Sequence, residues 1–154
     1  MDTDKEQPDL DNIYNDLDIF RARIAEEIKR ARRYPTFLSL VFVDVSHVSS
    51  QDEIENFSEV GRFHESLRNL IIKTIRETDL LSTNGGGKIA ILLLETSREG
   101  ATAFSKRLKK AVRYFLCNNT ISPVNWRVPI TASSFPGSRE DDEGMLDLLD
   151  SMKN

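Results

Sequence analysis

One cysteine, Cys117, in 154 residues excludes an internal disulfide and a thiolate metal cluster. It follows Phe115 and Leu116, so it is expected as a small core residue. The only two histidines, His47 and His64, lack metal-ligand spacing. No apolar run approaches the roughly 18 residues of a membrane span, and the acidic start "MDTDKEQPD" is unlike a signal peptide. A soluble, cytoplasmic chain is expected. An excess of basic charge is missing too. The net charge of −4 gives no general attraction to nucleic acid or to an anionic membrane. The basic stretches "IKRARR" (28–33) and "KRLKK" (106–110) read as wet faces of amphipathic helices. There is no internal repeat and no low-complexity segment.

What is present is enough for one domain with one core. Residues 1–11 are polar and acidic and are expected as a loose tail or linker stub; the domain proper is expected over 12–154. Ile13, Leu17, Phe20, Ile24 and Ile28 step by three or four, which predicts a helix over 13–33 that Pro35 closes. "TFLSLVFVDV" (36–45) predicts a buried strand ending near Asp44. Residues 49–57 are expected to begin a short helix. A longer one is expected over 60–77, with Phe63, Leu67, Leu70, Ile71 and Ile75 on one side. Two apolar runs across Asn84 and Gly85 predict a hairpin. A helix follows over 97–117, with Ala101, Phe104, Leu108, Val112 and Phe115 inward. A strand is expected over 125–135, with Pro129 marking an edge or a bulge. "PGSREDDEG" reads as a loop and "MLDLLDSM" as the start of a last helix. The order α-β-α-α-β-β-α-β-α predicts an α/β (α+β) domain with one mixed central sheet flanked by helices.

The segment "RETDLLSTNGGGKIAILLLET" (76–96) holds three glycines before an apolar strand. Such glycines mean a sharp turn or a close backbone approach. The segment resembles the heart of a GGDEF domain, the diguanylate cyclase module. The family pattern is R-x-x-D, five residues, G-G-[DE]-E-F, then a strand ending in E-T. Arg76 and Asp79 stand at that spacing before Gly85 and Gly86, and Glu95 and Thr96 close the strand. Upstream, "RARRYPTFLSLVFVDVSH" is similar to the family's first strand, with Asp44 and His47 on matching positions. Downstream, "GATAFSKRLKKAV" and "PITASSF" resemble the following helix and strand. The likeness covers residues 13–152. It implies the GGDEF, nucleotidyl-cyclase-like fold.

The departures bear on activity. Family members join two GTP molecules into cyclic di-GMP, with divalent metal held by the strand-ending aspartate and the acidic residues of the turn. Asp44 keeps the first position. The acidic pair is replaced by Gly87 and Lys88, and the Phe by Ile89. One carboxylate facing an ammonium group is a poor metal site. In the guanine-reading stretch Phe63 and His64 fall where Gly-Asp belongs, and Asn56 stands in for the Asn only if an insertion precedes it. Phe57 and Phe63 read as core or rim residues. The opening motif keeps little beyond Asp9. The final helix and strand are expected to be cut short, giving a domain truncated at its C-terminal end. The resemblance thus implies a degenerate active site at Asp44, Gly85, Gly86, Gly87 and Lys88. No catalytic residue, cofactor or metal is expected, and Asp44 is read as structural.

The R-x-x-D of the family is an inhibitory site that binds the product away from the catalytic centre. It implies a cyclic di-GMP site at Arg76 and Asp79, with Arg107 as the second arginine. Arg76 is expected to end a helix and Asp79 to begin a strand, both facing out. Lys110 adds charge nearby. Two readings follow. One is an inactive GGDEF domain acting as a cyclic di-GMP receptor that signals to a protein partner and forms a ligand-promoted homodimer. The other is a ligand-independent pseudoenzyme serving as an interaction or dimerisation module.

Overall fold

In the computed structural model, which describes residues 12–46, 54–83, 87–120, 128–136 and 139–151, the apolar stripe that starts at Ile13 is divided in two. Ile13–Tyr14 form a short strand, β1. The helix α1 starts only at Leu17 and runs to Arg33. Asp16 makes the division. Its carboxylate accepts from the backbone N–H groups of Asp18 and Ile19 at 2.8 and 3.3 Å, an N-cap that satisfies donors left orphaned at a helix start.

The strands β2 (Leu38–Asp44), β3 (Leu80–Thr83), β4 (Lys88–Leu94) and β5 (Ile130–Phe135) join β1 in one sheet of order β1-β3-β4-β2-β5. β1 pairs parallel with β3, and the other neighbours are antiparallel. The expected hairpin is present as β3 and β4. Pro129 lies just before β5, an edge strand, where its missing N–H costs no ladder bond.

The helices α2 (Val60–Thr74) and α3 (Arg98–Asn119) cover one face of the sheet. There Phe63, Leu67, Ile71, Leu108 and Val112 pack on Val41, Val43, Leu81, Ile89 and Ile91. On the other face α1 and α4 (Arg139–Asp150) pack on Leu40, Phe42, Leu80, Ala90 and Leu92. Coverage on both faces explains why β2 and β4 read as continuous apolar runs rather than alternating ones. Each fully buried Leu, Ile or Phe contributes about 1.5–3 kcal/mol, so these two layers outweigh any surface ion pair at under about 1 kcal/mol. The mixed α+β architecture matches the expected fold class.

Several boundaries differ from the expectation. Residues 54–59 form no helix. Ile54 is spent on an isolated bridge to Thr120, and Asn56 is left-handed at φ 68°. The remainder of the expected helix, like the tail 1–11, lies outside the described residues. Helix α2 stops at Thr74 because Ile75 is extended at φ −89°, ψ 160°, so Arg76 follows the helix instead of ending it. α4 starts inside the stretch expected as a loop. Cys117 is exposed rather than in the core: the inward stripe of α3 runs Ala101, Phe104, Leu108, Val112, Leu116, and the next position faces away. Phe63 is fully buried and Phe57 packs beside it edge-on. Among the described residues no helix is long and apolar enough to cross a membrane.

Candidate functional site

The turn 76–79 connects α2 to β3, closed by a backbone bond from Asp79 N–H to the Arg76 carbonyl at 3.0 Å. The two side chains do not both face out. The Asp79 side chain is 1% exposed, against 56% for Arg76. A carboxylate buried so deeply must be paired, and Arg76 supplies the partners. Asp79 Oδ2 accepts from the Arg76 backbone N–H at 2.9 Å and from Nε at 3.2 Å, while Oδ1 accepts from Nη2 at 2.9 Å. Nη2 also donates to the Leu94 carbonyl at 2.9 Å and to Thr96 Oγ1 at 2.7 Å. The hydrogen bond to Asp79 is the largest cause raising the Arg76 pKa above its ordinary value, against partial desolvation. The guanidinium is therefore a fixed charge on a fixed plane. Its Nε and Nη2 edge is engaged; among the described residues Nη1 makes no hydrogen bond.

The second place is where β2 ends and β4 begins. Asp44 and Lys88 are direct cross-strand partners. Asp44 Oδ1 accepts from the Ser46 N–H at 2.9 Å and from the Ser46 hydroxyl. Gly87 stands at φ +86°, and its carbonyl accepts from Val45 N–H at 2.7 Å. A Cβ on Gly87 would lie 2.9 Å from Ser46 N and 3.0 Å from Ser46 Cα. No real side chain tolerates that approach to backbone, so this position admits only glycine as the chain stands. Gly85, Gly86 and His47 lie outside the described residues. Beside Gly87 a cavity of about 220 Å³ is lined by Val45, His64, Arg68, Thr83 and Ile89 among others, and Arg68 Nε is buried without a hydrogen-bond partner among the described residues.

Arg107 is in neither place. It lines a groove of about 540 Å³ between α2 and α3, with Leu70, Lys110, Ala111, Tyr114 and Phe115, and its guanidinium sits 5.7 Å from the Phe104 ring centre. Counted along α3, Arg107 is about 14 Å from Arg98, the first residue of the helix, at about 1.5 Å per residue. The helix N-terminus lies by the turn 76–79 and its C-terminus by Asn56, which donates to the Asn118 carbonyl. The structure thus brings Arg76 and Asp79 together and sets Arg107 further along the same helix layer. Sequence reasoning missed Thr96 as a holder of Arg76, Ser46 as the partner of Asp44, and the exposed Tyr114. The E-T ending of β4 was the one signal that pointed at Thr96.

The sequence matches the family "Diguanylate cyclase, GGDEF domain" over residues 10–150. Among solved structures, the chain is similar to a DGC protein from Thermotoga maritima at TM-score 0.60 and 16% identity, covering 91% of this chain and 95% of that one. It is also similar to a truncated form of TpbB (YfiN) from Pseudomonas aeruginosa comprising only the GGDEF domain, at TM-score 0.58 and 17% identity, over 90% and 86% of the two chains. A third likeness is to the active GGEEF domain of a diguanylate cyclase from Vibrio cholerae, at TM-score 0.58 and 16% identity, over 84% and 82%. At these identities the likeness carries the fold. A search of curated proteins found no match.

Proposed function

Because the chain belongs to the diguanylate cyclase GGDEF-domain family, we propose that it is a catalytically inactive member that receives cyclic di-GMP at Arg76 and relays its presence to a protein partner. The observation that carries this reading is the state of Arg76. Its guanidinium is half exposed yet held by a buried carboxylate, a carbonyl and a hydroxyl. An exposed arginine fixed in place loses little side-chain entropy on binding, which favours an anionic, aromatic ligand. The guanidinium face can stack on a base, and its Nη1 edge can donate to guanine O6 or N7 or to phosphate. Asp79 holds Arg76 in place, and Arg107 offers a second cation further along α3.

The divalent metal used by the family does not fit the residues present at the ends of β2 and β4. A hard cation needs several oxygen donors in one place. Here one Asp44 oxygen already accepts two bonds from Ser46, Lys88 stands across from it, and Gly87 contributes no side chain. GTP with Mg²⁺ or Mn²⁺ is expected to yield no cyclic di-GMP above a control without protein.

Calorimetry tests the receptor reading. Cyclic di-GMP is expected to bind in the low micromolar range or tighter, about −8 kcal/mol or better, and GTP far more weakly. Sedimentation with the same ligand is expected to show a two-fold dimer. A stacked ligand with two equivalent faces joins identical protomers, and ligand that favours the dimer shifts the equilibrium by mass action. Absence of binding would hand the case to the ligand-independent interaction module.

A further inference from the structure

The parallel register of β1 on β3 sets where the chain upstream of residue 12 must leave the sheet. Ile13 pairs with Leu81 and Tyr14 with Ser82. Going backward from Ile13 therefore runs backward along β3, toward Asp79 and Arg76. Asn12 confirms the direction, because its side-chain amide donates to the Glu77 carbonyl inside the turn 76–79. The residues before it carry five carboxylates, Asp2, Asp4, Glu6, Asp9 and Asp11, against one cation, Lys5. The described chain thus begins at Asn12, bonded to the turn 76–79 that carries Arg76. Eleven residues can span up to about 36 Å, more than the roughly 14 Å along α3 from Arg98 to Arg107. The groove that Arg107 and Lys110 flank has an apolar floor of Leu70, Ala111 and Phe115. An acidic segment carrying Leu10 between Asp9 and Asp11 complements it in both charge and floor.

We propose that the acidic segment 1–11 is an intramolecular competitor that occupies the cationic strip of Arg76, Arg107 and Lys110, so that an anionic ligand must displace it. The proposal rests on the receptor reading for its consequence, since it describes how that site is regulated, but the occupancy itself can be read without any nucleotide. Tethering holds the carboxylates near the strip at millimolar effective concentration. Their attraction is between exposed charges, so salt controls it. Charges act over about 30 Å at 0.01 M ionic strength and about 3 Å at 1 M. Occupancy lowers the apparent affinity of a free ligand by the fraction of open sites.

A nitroxide on Cys117, exposed on α3 beside the groove residue Asn118, tests occupancy in the full chain. At about 0.01 M salt the amides of residues 2–7 and 9–11 are expected to broaden, and at about 1 M to recover. The double variant Arg107→Ala, Lys110→Ala is expected to lose the broadening at low salt. Sharp amides at low salt, or broadening that ignores both salt and the double variant, would overturn the proposal. So would equal broadening in a mixture of labelled, isotope-silent protein with unlabelled, isotope-enriched protein, because the occupant would then be a second copy. A second arm uses cyclic di-GMP as the probe. Neutralising the segment (Asp2→Asn, Asp4→Asn, Glu6→Gln, Asp9→Asn, Asp11→Asn) is expected to tighten binding roughly tenfold at low salt, with the gap closing at high salt. If no form of the protein binds cyclic di-GMP, the receptor reading fails, and the nitroxide measurement still decides occupancy.

Discussion

Replacing Arg76 by alanine is expected to weaken cyclic di-GMP binding by roughly 30-fold or more, equivalent to about 2 kcal/mol. The size follows from what the guanidinium already does. Asp79, Leu94 and Thr96 hold it through Nε and Nη2, so a ligand meets a preorganised charged plane rather than a free side chain. A lysine cannot reproduce that, since its ammonium is a point charge without a fork or a flat face. Arg76→Lys is therefore expected to lose most of the same affinity. Alanine leaves the Asp79 carboxylate buried with only the backbone N–H of residue 76 from the present pair. Some stability is lost with it, because a buried carboxylate deprived of its cation is costly. Circular dichroism should first establish that the variant is folded at the titration temperature. Calorimetry on folded Arg76→Ala then decides: an affinity equal to the wild type would remove Arg76 from the site.

The second large effect is expected at Gly87. Gly87→Asp restores one of the acidic residues of the family pattern, and the chain is expected to pay for it in stability. The backbone at φ +86° strains any L side chain, and the new Cβ would meet Ser46 backbone at 2.9 Å. The loop cannot retreat freely, because the Gly87 carbonyl is bonded to Val45 N–H at 2.7 Å. Strain of this kind with a backbone clash costs about 2–4 kcal/mol, which lowers the melting temperature by roughly 5–15 °C for a domain of this size. Adding Lys88→Glu sets a glutamate directly across the ladder from Asp44, where like charges repel. Neither Gly87→Asp nor the double variant is expected to form cyclic di-GMP from GTP. Thermal melts and a product assay check both statements. An unchanged melting temperature would show that the loop relaxes around the side chain, and recovered turnover would overturn the assignment of an inactive site.

The strands β2 and β4 and the helix α3 were legible because their signals are internal to each segment. Valine, isoleucine and leucine runs bounded by turn residues mean a strand covered on both faces, and a stripe every three or four residues means a helix. The start of α1 was misread because Ile13 and Leu17 happen to be four apart. The capping signal at Asp16 was in the sequence and outranks that spacing. Cys117 was misplaced because neighbouring apolar residues on a helix point in different directions.

By itself the sequence determined that this is a GGDEF domain, and it set the order of Arg76, Asp79, Gly87 and Lys88 along the chain. Those facts rest on residue identity and order alone. Only the tertiary structure decided what the residues do to one another. Asp79, just before β3, becomes a buried anchor and Arg76 its exposed, immobilised partner. Thr96, remote in sequence, becomes a third holder because β4 ends beside α2. Arg107 stands further along α3, where it lines a groove with Leu70 and Lys110, since about 1.5 Å of rise per residue accumulates over the helix. Spacing along a chain records which residues are present, whereas burial and distance arise only when segments far apart in sequence pack against each other.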